Sequence, residues 1–100
     1  MLKIVAVILS GCGAYDGAEI NEAVLTLLAL DRAKAKVTCA APDIAQKQVI
    51  NHMTGEAEEG EQRNVMIEAS RISRGSIQPL GGLEIDDFDA IIFVGGYGVA

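Results

Sequence analysis

Lys3-Ile-Val-Ala-Val-Ile-Leu-Ser-Gly-Cys-Gly-Ala-Tyr-Asp-Gly-Ala-Glu-Ile-Asn-Glu22 is the stretch on which the reading of the whole chain turns. The unbroken apolar run from Ile4 to Leu9, closed by Ser10-Gly11, is too short for an ordinary helix and too continuous for a strand with one wet face. It reads as a central strand buried on both faces. Gly11, Gly13 and Gly17 free the backbone for a tight loop, and Asp16 followed by Glu19 is a capping-box pattern that starts a helix. In open α/β sheets this order of strand, Gly-rich loop and helix N-terminus puts the loop at the carboxyl ends of the strands, where ligands bind.

Downstream of the loop, Ile20, Ala23, Val24, Leu27, Leu28 and Leu30 recur at helical spacing, which predicts a helix over about 17–34, roughly 27 Å long, with these residues on its buried face. Lys36 to Ala41, closed by Pro42-Asp43, reads as a second buried strand, so strand, helix and strand form a right-handed βαβ unit. Residues 44–61 have only a loose period and end in an acidic, Gly-containing run. They read as a short helical turn followed by an exposed loop. A helical pattern resumes over Gln62 to Arg74 with Gly75 as its stop, and Ile77 to Leu80 reads as a short extended piece. The last segment repeats the logic of the first: a polar lead-in at Asp86 to Asp89, an apolar run from Ala90 to Val94, then Gly95-Gly96-Tyr97-Gly98. This is a third parallel strand delivering a second Gly-rich loop.

With 100 residues, half of them apolar, the chain has material for one small domain and no second one. A net charge of −6 and a sequence pI of about 4.6, with eight scattered Lys and Arg, argue against a nucleic-acid footprint or an anionic membrane surface. No apolar stretch is long enough to span a bilayer. Cys12 and Cys39 make neither a disulfide framework nor a metal-ligand spacing, so no metal is expected and a reducing, cytoplasmic compartment fits. Gly11 to Gly17 approaches the dinucleotide fingerprint but carries its third glycine one residue late, and no cofactor is expected.

Two Gly loops at the ends of neighbouring strands would build a pocket from main-chain amides. In it the Gly95-Gly96 pair can turn N–H groups toward an oxyanion, the plain alternative being that the pair merely ends a strand. Glu19 and Glu22 lie three apart near a helix start, on the side of the loops. Glu19 suits a cap. Glu22, one turn inside an apolar face, is the odd residue, able to share a proton with a nearby thiol or substrate oxygen or, more plainly, to meet the helix dipole. Cys12 reads as a loop thiol near the helix N-terminus or as a small wall residue, and Cys39 as a buried small hydrophobe. His52 is the single histidine, in a polar loop where a surface position competes with a place in the pocket.

Taken together, 10–23 (Ser-Gly-Cys-Gly-Ala-Tyr-Asp-Gly-Ala-Glu-Ile-Asn-Glu-Ala), 41–43 (Ala-Pro-Asp), 49–56 (Val-Ile-Asn-His-Met-Thr-Gly-Glu), 63–72 (Arg-Asn-Val-Met-Ile-Glu-Ala-Ser-Arg-Ile) and 94–98 (Val-Gly-Gly-Tyr-Gly) closely resemble the ElbB/ES1 family of the ThiJ/PfpI, class I glutamine amidotransferase-like superfamily. The resemblance covers the whole chain. It implies a flavodoxin-like three-layer α/β sandwich with a parallel sheet, of which residues 1–100 supply the N-terminal part, together with a link to isoprenoid biosynthesis. The implied activity is glyoxalase-like, turning small 2-oxoaldehydes such as methylglyoxal into hydroxy acids without a cofactor. The alternative is a non-catalytic binding or regulatory module. By position, Glu22 matches the helix glutamate that hydrogen-bonds the nucleophilic cysteine, and Gly95 and Gly96 match the glycine pair of the oxyanion hole, with Gly11, Cys12, Gly13, Glu19, Tyr97 and His52 as further pocket candidates. Val94 stands where many relatives have proline. The nucleophilic cysteine belongs on a strand-to-helix elbow beyond residue 100, and neither Cys12 nor Cys39 occupies that place. The expected partners are a small carbonyl substrate, the remainder of the protein or a second chain, and a further copy in a homodimer. A sheet left with three strands would expose the apolar runs 4–9 and 90–94, so residues 1–100 are expected to be a piece of a longer protein.

Overall fold

A computed structural model describes residues 2–97. The apolar run forms strand β1, Ile4–Ile8, and helix α1 spans Ile20–Arg32, followed by strand β2, Lys36–Ala41. Strands β3, Ile50–Asn51, and β4, Glu56–Ala57, precede helix α2, Val65–Ser73, and strands β5, Gln78–Pro79, and β6, Ala90–Phe93, complete the described elements. The main sheet is parallel throughout, in the order β5-β2-β1-β6. β1 therefore has a partner on each side, with Val5 opposite both Val37 and Ala90. That position explains why its sequence is apolar without alternation.

The connections follow from handedness. From β1 through α1 to β2, and on through α2 to β5, the chain steps in one direction, and right-handed crossovers taken in one direction lie on one face. Both helices accordingly share a single core, where Ala23 and Ala69 meet Val5, Val7, Cys39 and Ala41. The step to β6 returns to the other side of β1, and its connection crosses the opposite face, where Leu80, Leu83 and Phe88 cover Ala6, Ile8 and Ala40. Asp89 fixes the register of the returning strand: its carboxylate accepts the Ile4 N–H at 2.7 Å, and its own N–H donates to the Ile4 carbonyl at 2.8 Å.

Several expectations are corrected at element level. α1 begins at Ile20 rather than near 17, because Glu19 itself is the N-cap, its Oε1 accepting the Asn21 N–H at 2.7 Å. Asp16 is committed elsewhere. The buried stripe of α1 is carried by Ala23, Leu27 and Leu30, while Ile20, Val24 and Leu28 lie largely in solvent. Residues 44–61 hold no helical turn; Ile50 pairs with Ala57 in a two-stranded antiparallel hairpin closed by Asn51 carbonyl bonds to the N–H groups of Thr54 and Gly55. Val49 anchors this hairpin by burial. The run 4–9 is fully covered from Val5 to Leu9, whereas the edge strand β6 leaves Phe93 67% exposed. Gly98, Val99 and Ala100 lie outside the described residues.

Candidate active site

The point where the sheet changes direction lies between β1 and β6, and ligand crevices in open α/β sheets form at such points, outside the carboxyl ends of the strands. Both Gly-rich loops emerge there. The first is folded on itself by Ala18 N–H to the Ser10 carbonyl at 2.8 Å and Gly13 N–H to the Ala18 carbonyl at 3.0 Å. The second is sewn to it by Glu19 N–H to the Gly95 carbonyl at 2.8 Å and Tyr97 N–H to the Ala14 carbonyl at 2.9 Å. The loops touch so closely that a Cβ on Gly96 would strike the Gly17 carbonyl, and Gly96 sits at φ 126°, where only glycine is at ease.

This junction assembles an open cleft of about 380 Å³ lined by Ala14, Tyr15, Glu19, Glu22, Gly96 and Tyr97. Glu22 reaches it from the first turn of α1. Its Oε1 lies against Gly95, within 2.8 Å of where a Cβ would be, so carboxylate and main chain approach closely there. Among the described residues the N–H groups of Gly95 and Gly96 donate to no backbone carbonyl. The cleft thus sets the Glu22 carboxylate beside Gly96, whose N–H donates to no backbone carbonyl. Glu22 is exposed rather than enclosed by an apolar face.

Of the other candidates, Gly11, Cys12 and Gly13 form the base of the first loop and do not line this cleft. Burial pushes the Cys12 thiol up from its ordinary value, Arg71 pulls the other way, and Glu68 and Asp16 add to the rise. A helix-activated thiolate at Cys12 is therefore set aside, and burial raises the Cys39 thiol as well. His52 stands behind the cleft, stacked on Tyr15 with ring centroids 4.9 Å apart. Its Nδ1 donates to the Ile50 carbonyl at 3.0 Å, leaving Nε2 to accept the Tyr15 N–H at 3.3 Å.

Sequence reasoning missed Asp16. Its side chain is 7% exposed, its Oδ2 accepts the Ile50 N–H at 2.7 Å, and its Oδ1 lies 3.7 Å from His52 Nε2. Together with the Gln46 side-chain amide on the Asp16 carbonyl at 3.3 Å, it straps the hairpin across the Gly loop. A second, larger cleft of about 780 Å³ opens beyond this strap, bounded by Ser10, Asp16, Gln46 and Phe93 and sharing Tyr15 and Tyr97 with the first. No group of three potential ligands converges on a metal position among the described residues.

No protein-family model matches the chain. Over 96 residues it is 51% identical to the Homo sapiens glutamine amidotransferase-like class 1 domain-containing protein 3, mitochondrial, covering 96% of this chain and 36% of that protein. The ES1 protein homolog, mitochondrial, of Rattus norvegicus gives the same identity and coverage. In solved structures, an isoprenoid biosynthesis protein with an amidotransferase-like domain from Ehrlichia chaffeensis superposes with a TM-score of 0.94 at 47% identity, over 97% of this chain and 46% of that one. In sequence and fold the chain is similar to an ES1/ElbB-type segment of class I glutamine amidotransferase-like proteins. It spans about a third of the length of these curated ES1-type relatives and somewhat under half of the solved one. Its parallel sheet with flanking helices is the amidotransferase-like α/β fold.

The cytoplasmic expectation is corrected by these relatives, which are named as mitochondrial, as is the Danio rerio ES1 protein, 38% identical over 99 residues. Two free cysteines distinguish reducing from oxidising surroundings and carry no information on which reducing compartment is meant.

Proposed function

We propose that this ES1-type chain supplies the acid–base and oxyanion half of a cofactor-free, cysteine-dependent site acting on small 2-oxoaldehydes, the nucleophile coming from polypeptide outside residues 1–100. The observation that carries the reading is the approach of Glu22 to Gly95 at the edge of a cleft that Glu22 and Gly96 line together. Conversion of a 2-oxoaldehyde to a 2-hydroxy acid moves one hydrogen from the aldehyde carbon to the ketone carbon and adds water. No electrons leave the substrate, so the chemistry asks only for a nucleophile, a proton carrier and an oxyanion binder. A thiolate adds to the aldehyde carbon, and the resulting oxyanion is held by the Gly96 N–H. Glu22 takes the proton from that carbon and returns it to the neighbouring one, leaving a thioester that water hydrolyses to free the thiol.

Methylglyoxal turnover by the full-length protein tests this. Glu22→Gln keeps the shape and removes the proton carrier, and kcat/KM is expected to fall by about 100-fold or more. An inactive wild type turns the reading toward a binding or regulatory module. Full activity in the variant removes Glu22 from the chemistry.

A further inference from the structure

Tyr15 is a wall shared by both clefts, and its position is set from outside its own loop. Its N–H donates to His52 Nε2 at 3.3 Å. Its ring lies on the His52 imidazole, with 4.9 Å between centroids and 17° between planes, so one aromatic face is covered. The imidazole is seated in turn. Its Nδ1 is 3.0 Å from the carbonyl of Ile50, in the same hairpin, and the Ile50 N–H donates to Asp16 Oδ2 at 2.7 Å. On the loop side the ring rests against Gly13, where a Cβ would stand 3.2 Å from its Cε1 and Nε2 and 2.5 Å from Asp16 Oδ1.

This circuit selects one tautomer. A carbonyl oxygen only accepts, so the neutral ring carries its proton on Nδ1 and turns the Nε2 lone pair to the Tyr15 N–H. The opposite tautomer would set lone pair against lone pair at Ile50 and N–H against N–H at Tyr15. Every contact in the circuit lies within residues 13–52. The Tyr97 N–H on the Ala14 carbonyl passes the constraint to the second loop, since Ala14 adjoins Tyr15. We propose that His52 is a positioning residue for the cleft: as the Nδ1–H tautomer it fixes Tyr15 by one hydrogen bond and one stacked face. Tyr15 then forms the wall against which a small molecule packs beside Glu22 and Gly96. The kinetic consequence rests on the 2-oxoaldehyde reading above, and the structural content does not.

Long-range proton–nitrogen NMR spectra of the full-length protein, with the His52 ring assigned through its own backbone, are expected to show a neutral ring protonated at Nδ1. Protonation at Nε2 overturns the proposal. Two variants then divide the bond from the stack. Gln places an amide oxygen as many bonds from Cα as Nε2, and Phe keeps an aromatic face without an acceptor. Tyr15 amide exchange is expected to speed up about 5–10-fold in His52→Phe and to stay within about twofold of wild type in His52→Gln. Unchanged exchange in the Phe variant overturns the proposal, and should the variants not fold, the wild-type tautomer decides. With methylglyoxal, His52→Phe is expected to raise KM about 5–10-fold with kcat within about twofold. A fall in kcat at unchanged KM counts against positioning. A wild type without turnover sinks the 2-oxoaldehyde reading and leaves the tautomer and the amide exchange to decide this one.

Discussion

At the scale of single residues, the junction of the two loops depends on positions where a methyl group has no space. Gly96 combines a positive φ with a main-chain neighbour on the side where Cβ would stand, and Gly17 would put a Cβ 2.5 Å from the Cys12 nitrogen. Gly96→Ala is expected to lower the unfolding free energy by about 2–3 kcal/mol, read from the urea midpoint, and to abolish any oxyanion-dependent activity with it. Cys12 makes a pH prediction. Its folded-state thiol titrates above the ordinary value, so its contribution to stability is complete below that value and is lost as pH rises through the folded one. Urea midpoints should therefore fall through the alkaline range, and Cys12→Ala should flatten part of that fall, Cys39 supplying the remainder in the same sense.

At the scale of elements, the side chain that caps α2 also ties that helix to its surroundings. Asn64 caps α2 through its Oδ1 on the Ile67 N–H at 2.8 Å, while its Nδ2 donates to Asp43 at 2.8 Å, joining the helix start to the end of β2. Asn64→Ala removes both bonds and is expected to cost about 1–2 kcal/mol in equilibrium unfolding. β1 carries the larger burden of the core. Leu9, fully buried just beyond its end, packs in the cluster that both helices share, and Leu9→Ala should cost about 3 kcal/mol or more, with a reduced thermal midpoint as the readout.

At the scale of the whole molecule, the two faces of the sheet are treated unequally. One is covered by two helices, the other by the short turns at Leu80–Gly82 and Ile85–Asp87, and the edge strand β6 keeps Phe93 exposed next to exposed Tyr97. Residues 1–100 expressed alone are expected to bind a hydrophobic dye and to aggregate in a concentration-dependent way, since an open apolar edge recruits further chain. A dye-silent, monomeric polypeptide with a cooperative transition would contradict this expectation.

The central strand, the βαβ unit, α2 and the third parallel strand were all legible in the chain itself, because burial on two faces and helical periodicity leave continuous local patterns. The residues and the family resemblance also singled out Glu22 and the Gly95-Gly96 pair, and the structure brings Glu22 against Gly95. The sequence alone could not place Asp16, whose partner Ile50 lies 34 residues away, nor recognise the hairpin, whose strands are two residues each. It also could not tell which apolar residues of α1 face inward, since Leu25 and Leu28 satisfy a helical period as well as Leu27 and Leu30 do. Those choices belong to tertiary structure: only the packing of α1 on β1 and β2 selects one stripe for the core. Only the pairing of β1 with β6 carries Glu22 to Gly95 across the length of the chain.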